Sequence, residues 1–124
     1  MIHLDTSFLI RALARETAED RRLRRWVGEG EALAVSAVGW AEFLCGPVEA
    51  GHLELAGRIL EAPVPFLDQD AALAARLFKL GGRRRGSLVD CMIAATALRA
   101  GATLATTNPA DFRRFARAGL RLAW

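Results

Sequence analysis

The sequence predicts an α/β fold in which a central, mainly parallel β-sheet is flanked by helices. Short apolar runs alternate with helical segments of ten or more residues, and connections of that length favour parallel strand pairing. The chain has 124 residues, 52% of them hydrophobic, which suffices for the core of one domain over residues 1–124. No apolar run is long enough to cross a bilayer, and the amino-terminal residues lack the pattern of a signal peptide, so we expect no membrane segment.

In the first half of the chain, helices separate two predicted strands. The apolar run IHLD predicts a strand over Ile2–Asp5, and Thr6 or Ser7 is placed to cap the helix SFLIRALAR. A more polar helix follows over Ala18–Glu29 and ends at two glycines. The run ALAVS predicts the second strand over Ala32–Ser36, and VGWAEFLCG begins the next helix before a Gly-Pro break.

In the second half of the chain, helices predominate. Apolar residues at helical spacing predict helices over Glu49–Leu60 and Gln69–Leu80, separated by the extended segment VPFL. After the basic loop GGRRRGS, Ser87 is placed to cap a largely apolar helix. TLAT predicts a strand over Thr103–Thr106, a short helix follows over Asn108–Phe115, and LRLAW predicts a last strand.

The charge pattern is compatible with nucleic-acid binding. The net charge is +3, and all but one of the 17 lysine and arginine residues are arginine, whose guanidinium matches a phosphate in a bidentate fork. The candidate RNA contacts are Arg83, Arg84, Arg85 and Arg113. Charged helix faces are commonly just solvated, so charge alone leaves both interpretations open.

The two cysteines, Cys45 and Cys91, are too few for a disulfide scaffold and form no CxxC pair. Both lie in apolar sequence surroundings. We therefore expect small buried side chains in a protein of the reducing cytoplasm.

Three acidic residues interrupt apolar segments: Asp5, Glu42 and Asp90. The carboxyl ends of parallel strands meet at one edge of a sheet, so three separate elements can bring these carboxylates together. Each acid also has a structural alternative. Asp5 can cap the next helix, and Glu42 can be an ordinary exposed helix position. Asp90 lies three residues after Ser87 and can complete a capping box with it.

A cluster of these carboxylates would need a cation, because unpaired carboxylates repel each other and raise their own pKa values. An all-oxygen set without a usable Cys/His group suits Mg²⁺ or Mn²⁺ over Zn²⁺. Such an ion neutralises a scissile phosphate and lowers the pKa of a bound water, so acids inside and arginines outside indicate a nuclease. A phosphatase would need a nucleophile or a phosphate loop. The sequence has neither a second aspartate two positions after Asp5 nor GxxxxGK[ST].

Four segments resemble the motifs of PIN domains. They are LDTSFLI, VGWAEF, SLVDCMIAATAL and LATTNPADF, and they follow the family's order along nearly the whole chain. The chain is similar in particular to the VapC-type toxins of bacterial and archaeal toxin–antitoxin pairs. The resemblance implies a PIN-like fold, Mg²⁺- or Mn²⁺-dependent endoribonuclease activity, a homodimer and a cognate antitoxin. The alternative is a non-catalytic PIN-like nucleic-acid-binding domain, although clustered acids that face phosphate argue against it.

The resemblance also implies roles for individual residues. Asp5 and Asp90 match the family's metal-binding aspartates. Glu42 matches its acidic residue that acts on the metal or on a water ligand of the metal. Ser7 matches a small polar residue that helps to order the site.

One position departs from the family pattern. Many members carry a fourth acid after the strand, where this chain has Asn108. Asp111 lies three residues further along the chain, and its carboxylate can replace this missing acid if its helix turns the side chain towards the site. We therefore expect one firmly bound ion, and a second only with RNA.

Overall fold

Three parallel strands form the centre of the fold in the computed structural model, which describes residues 1–83 and 87–123. Strand β1 (Ile2–Leu4) lies between β2 (Leu33–Ala34) and β3 (Thr103–Ala105). All three strands are apolar and largely buried, which is typical of a parallel sheet covered by helices. The prediction of an α/β fold with a parallel sheet is confirmed.

Helices surround this sheet. Within the described ranges they are α1 (Thr6–Ala12), α2 (Ala18–Gly28), α3 (Ala37–Cys45), α4 (Ala50–Ile59), α5 (Asp68–Leu80), α6 (Leu88–Ala100), α7 (Pro109–Phe112) and a 3-10 helix (Arg113–Ala118). Among these helices, none is both long enough and apolar enough to cross a membrane.

The hydrophobic core has two parts. One joins β1 and β2 to the first four helices, and in it the rings of Phe8 and Trp26 stack with centroids 5.5 Å apart. The other joins β3 to α5, α6 and the carboxy-terminal helices, and it includes Leu77, Leu104 and Phe115. The sheet therefore lies between two packed groups of helices, and the loops after β1 and β3 lie where these groups meet.

The cap of α1 differs from the expectation. Asp5, and not Thr6 or Ser7, is the N-cap, because its backbone is extended and its side chain accepts a hydrogen bond from the N–H of Phe8. Thr6 and Ser7 already belong to the helix. The same local rule holds at Ser36, which caps α3. A helix cap thus follows the end of β1 directly and the end of β2 after one intervening residue.

Helix α6 removes one alternative for Asp90. Ser87 occupies the N-cap position, but its side chain makes no capping hydrogen bond, so the capping-box interpretation of Asp90 is wrong. Ser87 has φ −94° and ψ −2°, which is already helical rather than the extended conformation of a capping serine. The middle of α6, from Ile93 to Ala97, is buried, so this helix is a rigid support.

Two further expectations fail for local reasons. In the described part of the predicted last strand, residues 120–123, the only pairing is a parallel bridge between Leu122 and Leu104, since the chain reaches the sheet only after the 3-10 helix; Trp124 lies outside the described residues. Cys45, expected to be buried, is exposed at the end of α3, whereas Cys91 is buried. An apolar sequence context did not distinguish the inner from the outer face of α3.

Candidate functional site

A cavity of about 280 Å³ lies where the chain leaves β1 and β3. Four of its lining residues are acidic: Asp5, Glu42, Asp90 and Asp111. The other lining residues are Thr6, Ser7, Ile10, Ile93, Asn108 and Phe112. The carboxyl ends of parallel strands are the usual place for a ligand in this class of fold. The six residues that the sequence indicated as catalytic, metal-binding or supporting therefore all line one cavity: Asp5, Ser7, Glu42, Asp90, Asn108 and Asp111.

Asp5 is buried, with 4% of its surface exposed. Its Oδ1 accepts hydrogen bonds from the N–H of Phe8 and from the hydroxyl of Ser7, both at 2.8 Å. Burial is the largest cause that raises the pKa of Asp5, and the charge of Glu42 adds to it. Hydrogen bonds, the strongest of them from Thr106, act in the opposite direction. The carboxylate is held in one orientation, and its pKa stays above the ordinary value.

Asp90 is half-buried in the first turn of α6. Burial is again the largest cause that raises its pKa, followed by the charge of Asp111. Asp5 and Glu42 add smaller contributions of the same sign, and the Arg114 guanidinium lowers the pKa. The charges of the other three carboxylates of the cavity thus all raise the pKa of Asp90.

Glu42 is exposed on α3 and is held at the cavity by one hydroxyl group. The Oγ1 of Thr6 lies 2.7 Å from Glu42 Oε1 and 3.1 Å from the carbonyl oxygen of Gly39. This contact links the first residue of α1 to α3. Glu42 therefore depends on another element for its position, whereas Asp5 is fixed by its own helix.

The loop after β3 closes the other side of the cavity. The Oγ of Ser7 lies 3.4 Å from the N–H of Thr107, which joins this loop to the start of α1. Thr106 accepts a hydrogen bond from the N–H of Asn108 at 3.0 Å. Asn108 is exposed and its side chain makes no capping bond to α7. Asp111, on α7, lines the cavity. This is the position that it needs if its carboxylate is to replace the acid that is missing at Asn108.

The donor set of the cavity fits a hard divalent cation. All its charged ligand atoms are carboxylate oxygens, and two of the aspartates have pKa values raised by burial and mutual repulsion. In the described part of the chain, no three His, Cys, Asp or Glu side chains are already arranged to hold a metal ion. Binding of an ion in the cavity therefore requires at least one of these side chains to move from the position that the structure shows.

Among the described residues, the predicted RNA contacts Arg83 and Arg113 do not line the cavity. Arg83 and Arg113 are both exposed, and Arg83 has a left-handed φ of 56° at the end of the α5 turn. Arg84 and Arg85 lie outside the described residues. The arginine prediction therefore remains a prediction about the surface.

The sequence did not indicate that Thr6 and Arg114 lie next to the acidic residues. Thr6 reads as a helix cap, yet its hydroxyl reaches Glu42, 36 residues further along the chain. Arg114 reads as part of a basic surface run, yet its Nε and Nη2 atoms are buried without a hydrogen-bond partner among the described residues. Its guanidinium lies 4.5 Å from the centre of the Phe115 ring. Both contacts depend on packing between elements, which no local pattern reveals.

The chain is similar to proteins of known structure. The PIN domain family model matches residues 2–118. No curated protein matches the chain. VapBC2 from Rickettsia felis bound to a promoter DNA fragment has 23% identity and a TM-score of 0.76, covering 100% of this chain and 99% of that chain. A toxin-antitoxin complex from Klebsiella pneumoniae has 22% identity and a TM-score of 0.73, covering 91% of each chain. FitAcB from Neisseria gonorrhoeae has 25% identity and a TM-score of 0.64, covering 98% of this chain and 96% of that chain. Likeness at this level shows a shared fold.

Proposed function

Because the chain belongs to the PIN domain family, we propose that it is a metal-dependent endoribonuclease and the toxin of a toxin–antitoxin pair. The observation that carries the proposal is a single cavity lined by four carboxylates. They come from the cap of α1 and from helices α3, α6 and α7. Four carboxylates around one cavity, one of them buried, repel one another unless a cation binds, so their presence at the ligand-binding edge of the sheet argues for a function. A domain that only bound nucleic acid would be hindered by these charges.

We assign Mg²⁺ or Mn²⁺ to Asp5 and Asp90, with Glu42 acting on the ion directly or through a water ligand. When bound, the ion supplies charge neutralisation at a scissile phosphate and a water of lowered pKa. Asp5 is suited to this role because two hydrogen bonds fix its carboxylate before any ligand arrives. Asp90 is suited to it because the buried α6 holds its backbone in place.

Asn108 and Asp111 determine the number of ions in this proposal. Asn108 offers only a neutral carbonyl oxygen, which is a weaker ligand than a carboxylate. Asp111 lines the cavity but also repels Asp90. We therefore propose one firmly bound ion, and a second that binds only when RNA phosphate oxygens complete its coordination.

The partners follow from the same proposal. One of the similar structures is a toxin-antitoxin complex, and we propose a cognate antitoxin that covers the acidic cavity. We also propose a homodimer, RNA as the substrate, one domain over residues 1–124, and a cytoplasmic location where that RNA is present. The exposed Arg83 and Arg113 are the described candidates for phosphate contacts outside the cavity.

Incubation of the purified protein with end-labelled RNA tests the proposal. Wild-type protein should cleave RNA with Mg²⁺ or Mn²⁺ and should not cleave it with EDTA. Asp90→Asn should remove cleavage, because the amide cannot replace the charge of the carboxylate. Asp68→Asn is the matched control, since Asp68 is an exposed aspartate in the first turn of α5, outside the cavity.

Two outcomes would contradict the proposal. Cleavage that persists in EDTA would exclude the metal mechanism. RNA binding without cleavage at any metal concentration would favour the non-catalytic nucleic-acid-binding domain.

A further inference from the structure

We propose that Thr6 is a positioning residue that holds the Glu42 carboxylate at the acidic cavity and thereby sets the affinity for the metal ion. The inference rests on the proposed function. It starts from the 2.7 Å contact between Thr6 Oγ1 and Glu42 Oε1, across the interface of α1 and α3. In residues 1–83 and 87–123, this is the only hydrogen bond to the Glu42 carboxylate.

Glu42 needs such a partner more than Asp5 does. It is exposed, and a glutamate has more rotatable bonds than an aspartate, so its carboxylate is free to turn into solvent. Asp5, in contrast, accepts two hydrogen bonds from its own helix. Thr6 supplies from outside α3 the restraint that Glu42 lacks on its own helix.

The fold is built to allow this contact. Gly39 lies one turn before Glu42, where a Cβ atom would be 3.2 Å from Val35 Cγ2 and 3.6 Å from Thr6 Oγ1. The tight contacts of such a Cβ atom are with residues at the start of α3, whereas 3.6 Å to Thr6 Oγ1 is an ordinary contact distance. The Thr6 hydroxyl therefore lies against this turn of α3, within reach of both Glu42 and the Gly39 carbonyl. The β-branched side chain of Thr6 restricts its χ1 rotation, so the hydroxyl stays near these two acceptors.

The Thr6 hydroxyl has one proton and two acceptors. The carboxylate of Glu42 is the nearer one, and a hydrogen bond to a charged oxygen is stronger than one to a neutral carbonyl. Thr6 therefore donates to Glu42 whenever this carboxylate is ionised and in place. If Glu42 turns away, the Gly39 carbonyl accepts the hydrogen bond from the Thr6 hydroxyl instead.

A purely structural role is the competing explanation, in which Thr6 only joins α1 to α3 through Gly39. The two explanations differ in what they predict for metal binding. A structural role lowers the stability of the metal-free protein and acts independently of Glu42. A positioning role lowers metal affinity and vanishes when Glu42 can no longer act.

The test is calorimetric titration of metal-free protein with Mn²⁺. Thr6→Val keeps the shape of the side chain and removes the hydroxyl, and we expect about tenfold weaker Mn²⁺ binding, the usual effect of losing a group that orients a metal ligand. Thr6→Ser should retain most of the affinity. In a Glu42→Gln background, Thr6→Val should cause no further weakening, because the two residues act as one unit.

Thr103→Val in β3 makes the same chemical change away from the cavity and should leave Mn²⁺ affinity unchanged. Thr6→Ala replaces Thr6→Val if the valine variant does not fold. Wild-type affinity in the Thr6 variant, or equal weakening with and without Glu42, would overturn the inference and leave the proposed function standing. Absence of Mn²⁺ binding by the wild-type protein would instead overturn both.

Discussion

Replacing Asp5 by asparagine and by alanine separates its capping role from its proposed metal-binding role. Asp5 Oδ1 accepts a hydrogen bond from the N–H of Phe8 at 2.8 Å in a buried position. Asparagine keeps an oxygen that accepts this bond, whereas alanine removes the acceptor of the Phe8 N–H. Loss of an N-cap costs about 1 kcal/mol, and an unsatisfied buried donor costs about 1–3 kcal/mol.

We expect the free energy of unfolding of Asp5→Asn to exceed that of Asp5→Ala by about 1–2 kcal/mol in EDTA. The charge does not enter this difference, because both substitutions remove it. Burial, together with Glu42, raises the pKa of Asp5 in the folded protein. The contribution of this group to stability is therefore present at low pH and is lost as the pH rises through the folded pKa. Removing the charge stabilises both variants at neutral pH, which offsets part of the loss in Asp5→Ala.

Urea denaturation followed by circular dichroism measures these differences, first in EDTA and then with Mg²⁺. Mg²⁺ should raise the unfolding free energy of the wild-type protein and leave both Asp5 variants unchanged. Thr17→Ala is the matched control, because Thr17 caps α2 outside the cavity with a bond of 2.9 Å from the N–H of Asp20. It should lose comparable stability and keep its response to Mg²⁺. Equal stability of the two Asp5 variants, or a response to Mg²⁺ in Asp5→Asn, would refute the reasoning.

Three other substitutions have defined outcomes. His3 is buried, and burial is the main cause that lowers its pKa from 6.5 to about 4. Protonation of His3 should therefore lower the free energy of unfolding of the wild-type protein by about 3 kcal/mol as the pH falls from neutral to 4. In urea titrations at these pH values, His3→Leu should lack this loss and His52→Gln should keep it. Asn108→Asp should increase the number of Mn²⁺ ions bound without RNA, measured by calorimetry; unchanged stoichiometry and activity would contradict the one-ion proposal. Gly39→Ala places a Cβ 3.3 Å from Ser36 Oγ and should lower the unfolding free energy by about 1–3 kcal/mol. An unchanged midpoint in thermal unfolding would mean that Val35 and Ser36 shift freely to make room for the added methyl group.

The fold could be predicted from the sequence because the connections are long. Helical segments between short apolar runs leave parallel pairing as the simplest arrangement, and the sheet has it. Strand lengths were harder to predict. Only Leu33 and Ala34 of the predicted second strand pair with β1, since Ser36 caps α3 and forms a single parallel bridge with Val64 instead. The last predicted strand is limited to a bridge at Leu122.

The acids of the cavity could be predicted, whereas the groups that orient them could not. Asp5 and Asp90 interrupt apolar runs, and burial without a partner is costly enough to mark such residues in a sequence. The Thr6–Glu42 contact depends on how α1 packs against α3. The position of Arg114 near Asp90 depends on how the 3-10 helix packs. Both are consequences of tertiary packing.

The most direct test of the proposed mechanism is the chemistry of the RNA ends after cleavage in ¹⁸O-labelled water. A metal-activated water that attacks phosphorus leaves one labelled oxygen on a terminal phosphate. We expect this label in products made by the wild-type protein with Mg²⁺, and no product with EDTA or with Asp90→Asn. Unlabelled 2′,3′-cyclic phosphate ends would show that the RNA 2′-hydroxyl is the nucleophile and would contradict the account.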